Sequence, residues 1–197
     1  MIQNGLHDVP AGKVAMAVTH LEMTAAPSLP GVVAPQGVTF RPLPFDPDTY
    51  RDLFRRVGAD WLWYSRLTFS DAELTTHFAN PDIQLFTLTK DGRDEALLEL
   101  DFSKEGDCEL AYFGLTAPLI GSGAGRFLMA QAITLAWAQQ IKRVHLHTCN
   151  YDSPQALDFY LRSGFTPCRR EIEIDDDPRL LGILPETAAP HVPLIKA

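Results

Sequence analysis

Cysteines are few in this 197-residue chain: Cys108, Cys149 and Cys168 stand far apart, with no Cys-x-x-Cys pair. That excludes a disulfide framework. A chain of this length can build a core without staples, so reduced thiols are expected. Long apolar runs are also missing. With no stretch of eighteen apolar residues, no membrane span is expected. The mildly apolar segment Val14 to Val18, between Lys13 and His20, is too short for a signal-peptide core, so the expected location is cytoplasmic. Positive charge is in deficit, with 17 Lys and Arg against 25 Asp and Glu and a formal charge of −8. A nucleic-acid partner, which needs a basic face, is not expected. No internal repeat is evident.

What remains is globular in composition, 46% hydrophobic and 21% charged. Residues 1–36 carry Pro10, Pro27, Pro30 and Pro35 and read as an extended arm outside the core, with a short helix around Val14 to Met23. Residues 37–177 read as a single domain. Residues 178–197 form a Pro-rich tail whose Leu184, Val192 and other apolar residues are expected to dock on a surface or on a partner subunit, so that a homodimer is one outcome.

Within the domain, Val38 to Leu43 alternates as a strand. Pro47 opens a helix over Asp48 to Val57, and Ser70 with Glu73 forms a capping box for Asp71 to Phe78. Strands are expected at Gln84 to Thr89, Ala96 to Phe102 and Cys108 to Leu115, separated by Asp91-Gly92 and Glu105-Gly106-Asp107. The run Gly121-Ser122-Gly123-Ala124-Gly125 precedes a helix reaching about Gln140. Val144 to Thr148 is a strand. Asp152 or Ser153 then caps a helix with Pro154 in its first turn and Gly164 past its end. Phe165 to Ile174 supplies one or two closing strands. The order makes an α+β layered sheet.

A strand that ends in a glycine loop and starts a helix favours an anion, because free amides and the helix dipole converge there. A Walker A loop would need a lysine after the glycines. A Rossmann fingerprint would need glycine at Arg126 and an acid after the next strand, where Thr148-Cys149-Asn150 stands. Neither fits. Residues 38–174 instead resemble the GCN5-related N-acetyltransferase (GNAT) superfamily. Gly123 and Gly125 match its Gln/Arg-x-x-Gly-x-Gly/Ala signature, while Ile120 takes the Gln/Arg position. Asn150, Pro154, Ala156, Leu157, Phe159, Tyr160, Gly164 and Phe165 match the segment that follows.

That resemblance implies a GNAT-like α/β/α mixed sheet, with antiparallel N-terminal strands and a parallel pair splayed at the CoA site. It implies acetyl-CoA as cosubstrate, no metal, and transfer of an acetyl group to the amine of a small acceptor by direct attack in a ternary complex. Leu115, Thr116, Ile120, Gly121, Ser122, Gly123, Ala124, Gly125, Arg126, Asn150, Pro154, Ala156 and Tyr160 become the expected CoA contacts. The Leu115 N–H would stabilise the oxyanion, and Tyr160 would act as general acid toward the departing thiolate. Read from the residues alone, Tyr160 is a core tyrosine on a helix face shared with Leu157 and Leu161.

Glu109 is the first candidate for general base and Glu99 the second; Asp101 shares the Glu99 face, and each also reads as a solvated strand residue. Trp63, Tyr64 and Arg66 border the expected acceptor cleft, where they could bind an acceptor or pack the core. His145, His147 and Cys149 share a strand face, which fits an ordinary face better than zinc ligands. Two other readings stay open: a CoA-binding regulatory or assembly module without turnover, and a protein-lysine or N-terminal acetyltransferase.

Overall fold

The computed structural model describes residues 3–28 and 31–196. Pro30, read as part of the arm, lies outside the described residues, as does the last residue of the tail. The elements are β1 (Lys13–Met23), β2 (Val38–Pro42), α1 (Pro47–Gly58), α2 (Asp71–Phe78), β3 (Ile83–Lys90), β4 (Arg93–Asp94), β5 (Ala96–Asp101), β6 (Asp107–Leu115), α3 (Ala124–Trp137), β7 (Arg143–Cys149), α4 (Ala156–Arg162) and β8 (Thr166–Asp176). Short 3₁₀ turns at Ala59–Trp61 and Ser65–Thr68 join α1 to α2.

One mixed sheet runs β2-β3-β5-β6-β7-β1-β8, with β4 attached to β3. Among the described residues all pairings are antiparallel except β6 with β7. Helices α1 and α2 cover one face, packing Leu53, Phe54, Val57 and Leu74 on Leu85 and Leu97. The other face carries α3 and α4, whose Leu128, Ile133 and Tyr160 meet Leu98, Leu100, Val144 and Leu146. The alternation of β5 explains this division: Leu97 faces one layer, and Leu98 and Leu100 face the other. Each fully buried leucine contributes about 1.5–3 kcal/mol relative to exposure.

The arm departs from its sequence reading. Residues 13–23 form a strand inside the sheet, between β7 and β8, instead of a helix outside the core. Val14, Val18 and Leu21 are all buried, and their spacing mimics a helical stripe. On the strand they lie on opposite faces. Val14 packs with Leu184 and Val192 of the tail, while Leu21 and Met23 enter the main core. Neither half alternates long enough to reveal the period of two.

Beyond the end of β7, side chains take over the edge of β1. Asn150 Oδ1 accepts from Ala17 N at 2.7 Å, and the Tyr151 hydroxyl donates to Ala15 O at 2.7 Å while accepting from Ala15 N. The tail docks on its own domain: Leu184, Ala188, Ala189 and Val192 cluster with Val14, Leu62, Tyr64 and Tyr151.

Candidate functional site

Strands β6 and β7 pair only over Asp107–Glu109 and Arg143–His145. Past that point the two strands diverge. On its other side β6 stays paired with β5, and Thr116 N donates to Glu95 O at 3.0 Å. In an antiparallel ladder successive amides alternate in direction, so Phe113 and Leu115 turn their N–H groups away from β5 into the opening. The Leu115 N–H thus faces the opening and not β5. Phe113 is a second amide of the same kind, which sequence reading alone did not single out. A register shift opposite Glu99 and Leu100 leaves Ala111 as an extra residue and bends β6 at this point.

The glycine loop follows. Gly123 is the N-cap of α3 at φ 88°, a conformation that glycine adopts without strain. The Ser122 hydroxyl donates to Leu119 O and accepts from Ala124 N, so the Ala124 amide is committed. The N–H groups of Gly121, Gly123, Gly125 and Arg126 have no partner among the described residues. Arg126 folds back toward Gly123 and makes no ion pair among the described residues. Free amides, open space above Gly121 and an unpaired guanidinium fit an anionic pyrophosphate. Ile120 is exposed beside them and offers no charge.

Other expected CoA contacts are engaged elsewhere. The Thr116 hydroxyl donates to Glu95, which Arg56 holds at 3.0 Å, so Thr116 is tied to the sheet. Asn150 supports β1, as described above. Pro154 lies in the turn before α4 and not inside the helix; Ala156 starts the helix and packs against the main core. Neither Asp152 nor Ser153 caps α4, whose N-cap is Gln155 without a side-chain bond. Asp152 instead accepts from Thr148 Oγ1 at 2.6 Å, Cys149 N at 2.9 Å and Trp63 Nε1 at 3.1 Å.

Tyr160 is buried among Phe113, Phe159 and Phe165. Leu157 and Leu161, read as sharing its helix face, are exposed on another side. The Tyr160 hydroxyl makes no hydrogen bond among the described residues, yet it is not sealed off as a buried orphan atom. Burial first, and then the charge of Asp152, push its pKa well above the ordinary phenol value. The group therefore stays protonated at neutral pH.

The candidate bases differ sharply. Glu99 is fully buried and takes Arg66 Nη2 at 2.6 Å, His77 Nε2 at 3.1 Å and the Tyr50 hydroxyl at 3.2 Å. Its oxygens face partners and no open volume, the setting of an anchoring carboxylate. Glu109 is partly exposed on β6 at the point of divergence, with Oε1 3.9 Å from His147 Nδ1. His147 in turn lies near His20 of β1, their rings 5.8 Å apart. Burial depresses the pKa of the neighbouring His145.

Two of the three expected acceptor contacts, Trp63 and Arg66, form one wall around Tyr112, and Tyr64 turns instead toward β8. Arg66 is held by Glu99 and sits over the rings of Phe69 and Tyr112. Tyr64 donates to Asp175 of β8. Trp63 spans from α1 to Asp152 and packs edge-on against Tyr112. Gly114 makes room for it: a Cβ there would lie 2.3 Å from Val57 and 3.1 Å from the Trp63 ring.

A search of curated proteins finds no match. Among solved structures, a GCN5-related N-acetyltransferase from Sphaerobacter thermophilus superposes with a TM-score of 0.64 at 14% identity, covering 82% of this chain and 52% of that one. The present chain thus spans about half the length of that relative. A GNAT family acetyltransferase from Elizabethkingia anophelis with acetyl-CoA bound gives 0.51 at 16% identity over 68% of this chain and 79% of that one. An aminoglycoside acetyltransferase from an uncultured soil metagenomic sample gives 0.52 at 16%, covering 64% and 87%. At such identities the likeness establishes the fold. The family model described as Acetyltransferase (GNAT) family matches residues 55–165, more than half of the sequence and the whole stretch from the wall to Phe165, and the chain belongs to that family.

Proposed function

We propose that this protein transfers an acetyl group from acetyl-CoA to the amine of a small molecule, by direct attack with both substrates bound. The single observation that carries this reading is the opening between β6 and β7, with the Leu115 amide on one side and the unbonded Tyr160 hydroxyl among the residues that follow β7. Bound acetyl-CoA supplies the reactive thioester. The amides of Gly121, Gly123, Gly125 and Arg126, with the Arg126 guanidinium, would hold its pyrophosphate, and loss of a side-chain donor at Ile120 weakens that grip without removing it.

Leu115 N–H donates to the carbonyl oxygen as negative charge develops there. Tyr160 gives its proton to the sulfur as the carbon–sulfur bond breaks and the carbon–nitrogen bond forms. Glu109, beside His147, takes the proton that the attacking amine loses. Glu99 holds Arg66 in the wall and has a positioning role. The tail packs against Leu62 and Tyr64 next to Trp63, and tail and Trp63 together would leave the acceptor side room for a small acceptor more readily than for a peptide.

A thiol-release assay over a panel of small amines, run beside peptides with free N-termini or lysines, tests the reading. Turnover with small amines and none with peptides is expected. Tight acetyl-CoA binding without turnover on any acceptor would favour a binding module instead, a reading to which the uncharged Ile120 lends some support.

A further inference from the structure

Strand β8 is the outermost strand of the sheet. It pairs with β1 on one side and with nothing on the other among the described residues. It runs for 11 residues and is exposed along nearly its whole length. Unpaired edges are templates for another strand, and proteins shorten, cover or interrupt them; β8 is interrupted by a bulge at Cys168 and runs regularly against β1 only from Arg169 to Asp176. Here Ile172 and Ile174 stand 53% and 55% exposed. They pair with Ala17 and Ala15, which puts them on the sheet face that carries α4. Leu157 and Leu161 of α4 are also exposed. Two large apolar side chains, Ile172 and Ile174, therefore stand in water beside an open backbone edge.

The charges along β8 are ordered. Arg169 and Arg170 come first; Glu171, Glu173, Asp175 and Asp176 follow. Arg170 and Glu173 make no ion pair among the described residues. A strand that is basic at its start and acidic at its end is complementary to its own antiparallel copy.

We propose that β8 is a self-association surface, pairing antiparallel with β8 of a second copy about a two-fold axis near Glu171. Centred there, the pairing sets Arg169 opposite Glu173 twice, while the two Glu171 carboxylates face each other at the axis, each diagonal to one arginine and one Glu173. On the opposite face Ile172 meets the stem of Arg170. The interface is isologous, so it closes at two copies and joins both sheets into one. Tyr160 and the glycine loop lie away from this edge and stay open.

Light scattering of the full chain over a wide concentration range tests this. A species of twice the chain mass is expected. Arg169→Glu and Glu173→Arg, each alone, place like charges opposite one another, and each should weaken the dimer at least tenfold. Both positions are exposed, and circular dichroism should show both variants folded. Mixed in equal amounts, the two variants carry matched charges and should recover a heterodimer. A wild-type monomer at every concentration would overturn the proposal and leave the edge to a different polypeptide. A dimer unaffected by either variant would overturn it as well.

Discussion

Trp63 donates its indole N–H to Asp152, and this one bond ties the segment after α1 to the turn after β7 across the opening where β6 and β7 diverge. Asp152 also holds Thr148 and Cys149, so it fixes the end of β7 and the Trp63 wall together. Its charge reaches Tyr160 too, where it adds to burial in keeping the phenol protonated. The aspartate thus couples the wall, the end of β7 and Tyr160.

Trp63→Phe keeps most of the ring packing and deletes only the donor. Asp152 retains two partners, so the expected loss of stability is about 1.5 kcal/mol, the lower end for a bond to a charged group. The wall loosens while the glycine loop is untouched. The KM for the amine should rise several-fold with the KM for acetyl-CoA unchanged, as measured by initial rates alongside urea unfolding.

Tyr160→Phe removes a hydroxyl that has no hydrogen-bond partner among the described residues, so folding should be unaffected. If Tyr160 protonates the sulfur, kcat falls at least tenfold, about 1.4 kcal/mol of barrier. The raised pKa adds a second expectation. Wild-type turnover should show no alkaline decline attributable to this phenol near pH 10, where an ordinary tyrosine titrates. Full turnover by the variant would remove Tyr160 from the chemistry.

Gly123→Ala forces a Cβ into a backbone at φ 88°, at a cost of about 1–2 kcal/mol. Gly92→Ala, in the β3–β4 turn at φ 78°, imposes comparable strain far from the site and serves as the control. Both variants should melt earlier. Only Gly123→Ala should raise the KM for acetyl-CoA, because only there does the backbone that shifts carry the free amides.

Particular residues mark how far the sequence could be read. The capping box of Ser70 with Glu73 and the glycine N-terminus of α3 are local devices, and both are present in the structure. β1 was hidden because its two halves bury opposite faces against partners from distant parts of the chain. Asp152 carried the signal of a helix cap, and nothing local distinguishes a cap from an anchor for a tryptophan 89 residues away. Glu99 and Glu109 look alike in sequence. What separates them is which of them Arg66 and His77 reach, a tertiary fact.

Asp107 gives a prediction in pH. The hydrogen bonds from Arg143 first, and then Lys104, lower its pKa to about 2, against about 3.9 in an unfolded chain. A depressed folded value means that this carboxylate stabilises the protein above the unfolded pKa, and that the contribution fades as pH falls from about 4 toward 2. Asp107 also opens the short parallel pairing of β6 with β7. Asp107→Asn should therefore be less stable than wild type at neutral pH, and the two should converge near pH 2. Urea unfolding along a pH series reads this directly; a gap that persists at pH 2 would mean that the pair adds little.

Arg179 anchors the tail. It is almost fully buried, binds Asp177 through Nε at 2.9 Å and Nη2 at 2.7 Å, and donates to Ala188 O at 3.2 Å and Val192 O at 2.9 Å. Removing one member of such a pair leaves a charge buried without compensation, which costs about 3–5 kcal/mol. Arg179→Ala should therefore lose that much stability and become sensitive to proteolysis within residues 180–196. The loss should exceed that of the double variant Asp177→Asn with Arg179→Met, which leaves no orphan charge. Because the tail packs against Leu62 and Tyr64, its release should also raise the KM for the amine, even though Arg179 itself lies outside the opening between β6 and β7.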